Sequence, residues 1–147
     1  MNGQSLRILQ VLLWVVCASH IIIGGGIMIS PAFQQQMEAA YGASMVWTDE
    51  LSYLARILGV FMLGFGVVGI AAAIDPLRYR VLVYGFAGVM LIRAGQRIVH
   101  QNELQVAFGL DAGRLWLNAA FFALLAIALI VLLHLATSQP RSASGER

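Results

Sequence analysis

Residues 51–100 read LSYLARILGVFMLGFGVVGIAAAI (Leu51–Ile74), DPLR (Asp75–Arg78) and YRVLVYGFAGVMLIRAGQRIVH (Tyr79–His100). Each apolar run is close to the roughly 20 residues that an α-helix needs to cross a hydrocarbon core about 30 Å thick. Helices are the form to expect, because an isolated strand in lipid leaves its backbone polar groups unpaired. Asp75-Pro76 makes a tight turn, which predicts that the two helices are antiparallel neighbours. Two further apolar runs flank this hairpin, Ile8–Ser30 and Arg114–Ala136. The expected fold is therefore all-α, an integral membrane antiparallel four-helix bundle. It occupies residues 1–137 as a single domain, followed by a polar tail, Ser138–Arg147, expected to be disordered.

Composition closes off the other classes. Of 147 residues, 60% are hydrophobic and 11% charged, with a mean hydropathy of +0.81. Soluble domains are about 45–50% apolar and about 25% charged. A chain this short cannot hide so much apolar surface in one soluble core. That excludes a soluble enzyme, a disordered protein and a disulfide-stapled secreted module. Read as a signal peptide, the first span is too long, and no cleavage site follows it. Cys17 is the single cysteine, so a thiol–disulfide oxidoreductase, which needs cysteine pairs, is excluded. All nine basic residues are arginine and the net charge is +2. No basic stripe lies outside the apolar runs, so nucleic acid is not an expected partner.

Arginine distribution orients the chain. With four spans, the N-terminus, the Asp75–Arg78 turn and the C-terminal tail share one side, which carries Arg7, Arg78, Arg80, Arg141 and Arg147. The first and third loops are acidic, with Glu38, Asp49, Glu50, Glu103 and Asp111. The positive-inside rule then puts both termini in the cytoplasm, as expected of a multi-pass protein of a cell membrane such as a bacterial inner membrane.

The first loop holds a short helix over residues 31–41. Ser30 is its N-cap and Pro31 occupies the first helical position. Phe33, Met37, Ala40 and Tyr41 recur at helical spacing, Gln34–Gln36 and Glu38 fall on the other face, and Gly42 is a stop. Such a helix is expected to lie in the outer interface, with Trp47 nearby. Gly59, Gly66 and Ala73 recur every seven residues in span two, and Gly88 and Gly95 do so in span three. Small residues on one stripe let helix backbones approach closely. The expectation is tight packing of the central hairpin; a homodimer face is the alternative.

Ionisable residues within spans are the default functional candidates. At 1.5 Å per residue, Arg56 lies about 7 Å below the outer end of span two. Arg93 and Arg97 lie about 10 Å and about 4 Å below that of span three, and Asn118 about 6 Å into span four. Arg93, Arg97 and His100 share a face, as do Asp49, Ser52, Tyr53 and Arg56. Arg114 and Asn118 share a third, and a cation in the first turn of a helix, as Arg114 is, opposes the macrodipole and needs compensation. Two accounts compete. In one, the arginines are structural, pairing with Asp49, Glu50, Glu103 or Asp111 or snorkelling to the headgroups. In the other, Arg56, Arg93, Arg97, Arg114, Asn118 and Tyr53 form one ligand-binding layer open to the outer face. The guanidinium fork would there clamp an anionic or carbonyl-bearing group, such as a lipid headgroup or a quinone.

His20, near mid-membrane, is the lone histidine placed for a proton or ligand role, with a helix-to-helix hydrogen bond as its structural alternative. His20, His100 and His134 lie at mismatched depths, so no haem pair forms, and clustered metal ligands are absent. No cofactor is indicated.

The stretch Arg56-Ile57-Leu58-Gly59 through Gly66, and Arg93-Ala94-Gly95-Gln96-Arg97 after the turn, resembles small bacterial four-helix membrane proteins of the BphX-like and DoxX-like kind. Those families pair an arginine near the start of a glycine-rich helix with another near the end of the next. The resemblance covers the middle third of the chain. It implies a compact antiparallel bundle, and for function little beyond membrane subunits found near oxidoreductases. The functional expectation is a non-enzymatic membrane protein that binds a ligand or lipid, or joins a larger membrane complex or homo-oligomer. The alternatives are a dimeric small-molecule transporter, disfavoured because no Asp or Glu lies deep in a span, and the quinone-site subunit of an oxidoreductase.

Overall fold

The computed structural model describes residues 2–138. Within them six helices follow in order: α1 (Asn2–Ile29), α2 (Pro31–Tyr41), α3 (Asp49–Ile74), α4 (Arg80–Val99), α5 (Gln101–Phe108) and α6 (Ala112–Thr137). Four of them, α1, α3, α4 and α6, are long and apolar enough to cross a membrane. The architecture is the all-helical bundle expected, and the tail expectation falls on residues 139–147, outside the described residues.

The local chemistry of the loops matches its sequence signals. The Ser30 hydroxyl accepts from the Phe33 amide at 3.2 Å, Pro31 stands at the first helical position, and Gly42 ends α2 with φ 72°. Only glycine takes that left-handed turn without strain. Thr48 caps α3 through the Leu51 amide at 3.2 Å. At the opposite end the Asp75 carboxylate accepts from the Arg78 amide at 3.0 Å, closing the turn between α3 and α4. The α1 residue Gln10 donates to the Ile74 carbonyl at 3.0 Å, satisfying an orphan group at the end of α3. Helix α5 adds an element to those expected; its eight residues are too few to carry a clear periodicity.

Helix pairing departs from the expected arrangement. The intimate pairs are α1 with α3 and α4 with α6, joined by α1 against α6, whereas the backbones of α3 and α4 seldom approach and meet beyond their turn through Phe86 against Phe65 and Gly69. Glycine explains the first pair. A Cβ on Gly59 would lie 2.7 Å from the Gly24 carbonyl oxygen and 3.0 Å from the Met28 nitrogen, and one on Gly66 would lie 2.9 Å from the Cys17 carbonyl oxygen. The Gly59–Gly66 stripe thus packs on α1, not on the hairpin partner α4. Gly88 and Gly95, expected on the same seam, are open: a Cβ added at either would meet nothing within 4 Å. The reason lies in α1, where Gly24 offers a backbone-to-backbone contact that no glycine of α4 matches.

The solid core sits toward the turn end. Leu9, Leu13, Val16 and Cys17 of α1 meet Ala72 and Ala73 of α3, Val83, Phe86 and Ala87 of α4, and Leu129 and Leu133 of α6, all buried. Toward the other end a space opens between α3 and α4, and α2 packs against α1 and α3.

Replacing Gly59 with valine is expected to destabilise the protein by about 1–3 kcal/mol, the usual cost of overpacking. Gly88→Ala, with free space around it, should be neutral or slightly stabilising. Thermal unfolding of both variants in detergent micelles checks the contrast.

Candidate functional site

The divergence of α3 from α4 leaves a cavity of about 760 Å³ between α1, α2, α3 and α4. Its wall is largely apolar, with Ile23, Ile27, Leu54, Leu58, Met62 and Val89. Volumes of about 300–1,000 Å³ with apolar walls and a few placed polar groups are typical of small-ligand sites. Leu54, Leu58 and Phe61 line it and are exposed, so the cavity opens sideways along α3, where a membrane protein meets lipid.

Its deep end is aromatic. The Phe65 and Phe86 rings lie 4.0 Å apart, and the His20 ring is 5.3 Å from Phe65 and 6.4 Å from Phe86. His20 Nδ1 lies 2.8 Å from the Val16 carbonyl oxygen. A carbonyl only accepts, so Nδ1 carries the proton, and in the neutral ring Nε2 is left as an acceptor. The histidine bond is therefore within α1 rather than between helices.

The end away from the Asp75 turn is polar. Arg93, Gln96 and Arg97 of α4 line it, together with Gln34, Glu38 and Tyr41 of α2. Both guanidinium groups stack on one ring: Arg93 Cζ is 4.4 Å and Arg97 Cζ 5.1 Å from the centre of Phe122 on α6. Arg97 Nε is buried with no hydrogen-bond partner. Among the described residues the one ion pair within 4.0 Å is His100 with Glu103, at 3.1 Å. The carboxylates expected to neutralise the arginines do other things. Asp111 caps α6 through the Arg114 amide at 3.2 Å, Glu103 bonds His100, and Asp49 and Glu50 sit exposed in the first turn of α3.

Energetics make the arginine pair the feature to explain. Both side chains are half-buried, so each bears part of a desolvation penalty that is several kcal/mol for a fully buried ion. A face-on aromatic ring returns about 0.5–2 kcal/mol. The C-terminal dipole of α4, near which Arg97 lies, adds about 0.3–1 kcal/mol. These terms leave the two cations undercompensated within the described chain.

The expected single layer of six groups is divided. Arg93 and Arg97 line the large cavity. Arg114 and Asn118 line a second, of about 570 Å³, with Ile23, Met37, Ala40, Tyr41 and Leu117. Tyr53 and Arg56 line neither, and both are exposed on α3. The Arg114 guanidinium lies against Gly42, where any Cβ would collide with it. It therefore sits at the C-terminal end of α2, whose partial negative charge offsets the unfavourable dipole of its own helix.

Gln34 departs from its expected place. Assigned by periodicity to the polar face of α2, it is buried; its amide donates to the Ile27 carbonyl at 2.8 Å and its carbonyl accepts from the Ser52 hydroxyl at 2.9 Å. One side chain thus ties α2 to the end of α1 and the start of α3. The inward face of α2 is Phe33, Gln34, Met37, Glu38 and Tyr41, with Gln35 and Gln36 outside. Glu38 accepts from the Met45 amide and the Trp47 indole Nε1–H, so the segment after α2 is strapped over the cavity. Spacing of 33, 34, 37, 38 and 41 is a clean helical stripe, but a polar residue within it reads as solvent-facing until its partners are known.

No family model, curated protein or solved structure matches the chain.

Gln34→Leu strands the Ile27 carbonyl and the Ser52 hydroxyl, and should cost about 1–3 kcal/mol. Gln35→Leu, one residue along and exposed, should stay within about 0.5 kcal/mol of wild type. Unfolding midpoints of the two proteins in the same detergent test the distinction.

Proposed function

We propose that this small integral membrane protein binds a membrane-borne amphiphile, with an anionic head group held by Arg93 and Arg97 inside the bundle. The single observation that carries the reading is the stacking of both guanidiniums on Phe122 beside an apolar-walled cavity, with no carboxylate oxygen within 4.0 Å of either among the described residues. An anion placed there would supply the compensation that ring and dipole do not, through the paired donors of guanidinium. The sideways opening past Leu54, Leu58 and Phe61 lets the chains of the ligand remain in the bilayer while its head enters. Arg7, Arg78 and Arg80 cluster at the opposite end of the bundle, and on the positive-inside rule the cavity then belongs to the outer leaflet.

Native mass spectrometry of the purified protein, titrated with phosphatidylglycerol or with diacylglycerol of the same chains, tests this directly. Phosphatidylglycerol adducts should dominate, and fall at least tenfold in the Arg93→Leu/Arg97→Leu variant, because losing a charge-assisted hydrogen bond to the head group from each of two half-buried guanidiniums costs at least the ~1.4 kcal/mol that corresponds to tenfold. Equal uptake of the two lipids, or undiminished phosphatidylglycerol binding by the folded double variant, overturns the reading.

A further inference from the structure

The polar end of the same cavity carries a second charge that an anionic head alone does not use. Glu38 lines it and has no arginine within 4.0 Å among the described residues. Its carboxylate accepts from two neutral donors, the Met45 amide and the Trp47 indole. A carboxylate has about four lone-pair positions, so capacity for a further donor remains on both oxygens. Three aromatic side chains line the cavity at this end of the bundle, Tyr41, Trp47 and Phe108. They come from different segments: Tyr41 is one turn from Glu38 on α2, Trp47 is held by Glu38 itself, and Phe108 ends α5. The Ser44 amide, donating to the Phe108 carbonyl at 2.8 Å, holds α5 against the strap.

An acid without a cationic partner, bonded to one indole and sharing a cavity end with two further aromatic rings, is an environment that attracts an ammonium group through charge and cation–π interaction. The opposite sign is provided on α4 by Arg93 and Arg97. One cavity therefore offers a pair of cations and, separately, an anion in an aromatic surround, and the two are not paired with each other.

We infer that the occupant is a zwitterionic phospholipid, its phosphate on Arg93 and Arg97 and its ammonium between Glu38 and the rings of Tyr41, Trp47 and Phe108. This rests on the anion-binding reading above and adds the second charge. In a phosphoethanolamine head two carbons separate the phosphate ester oxygen from the ammonium, so a single head group brings both charges to the polar end while its chains leave along α3. Such a head satisfies all three unpaired charges at once. A phosphate lipid with an uncharged alcohol head would leave Glu38 unpaired.

Competition between phosphatidylethanolamine and phosphatidylglycerol of identical chains, read by native mass spectrometry, tests the inference. The wild-type protein should favour phosphatidylethanolamine about tenfold, the scale of a desolvated cation–π contact with an acid beside it. The ratio should fall toward one in Glu38→Gln, and also in Phe108→Leu, which removes a ring without touching the bonds of Glu38 to the strap. Soluble O-phosphoethanolamine, which lacks chains, should not displace the lipid; displacement would assign the site to a free head group and overturn the phospholipid. A wild-type ratio near one, with binding that still depends on Arg93 and Arg97, overturns the ammonium site and leaves the anion site standing. A preference that survives both substitutions also overturns it. Binding of either lipid that is indifferent to the arginines overturns both readings together.

Discussion

The approach of α1 and α3 through Gly24, Gly59 and Gly66 is the constraint from which the rest of the structure follows. Backbone atoms of the two helices meet where a Cβ would not fit. In lipid no hydrophobic effect drives helices together, so close van der Waals contact between small residues is a main source of affinity. With α3 committed to α1, its contact with α4 beyond the turn is left to Phe86 against Phe65 and Gly69. The turn at Asp75 keeps the two joined at one end, α4 packs on α6, and the remaining space opens into the cavity between α3 and α4.

That division assigns different work to the two halves of the bundle. Near the turn, Leu9, Leu13, Val83, Phe86, Leu129 and Leu133 make a dry core. At the other end, residues that would be costly in lipid face inward instead: Arg93 and Arg97 over Phe122, Gln34 between three helices, Glu38 under the strap. The inward turn of Gln34 is stabilising because both ends of its amide find partners. The arginines differ, since the protein gives them a ring and a helix end but no acid. Unequal compensation of that sort is the ground of the proposed anion site.

The helix α2 links these features. It is bonded to α1 and α3 through Gln34, supports the strap through Glu38, and ends at Gly42 beneath the Arg114 guanidinium. A short amphipathic segment in the loop after the first span thereby becomes one wall of the cavity and the base of its cover. Its sequence carries the signals for its existence, Ser30-Pro31 at the start and Gly42 at the end, but not for this placement.

Length and composition by themselves determined the four spans, the Asp75 turn and the caps of α2, because each depends on a run of residues and its immediate neighbours. The depth of Arg93 and Arg97 was equally legible, since rise along a helix is fixed. Which helix lies beside which was decided only by the tertiary structure. Lipid tails are as apolar as leucine, so a membrane helix carries little periodic contrast between its protein face and its lipid face. For that reason the glycines of α3 are recognisable as a packing stripe without α1 being identifiable as the partner. The same rise sets Arg56 and Tyr53 at the level of the other polar groups but says nothing of the side of the bundle they occupy, and the pattern of α2 alone makes Gln34 look solvent-facing. Depth is a one-dimensional property of the chain, whereas azimuth is settled by contacts between segments far apart in it.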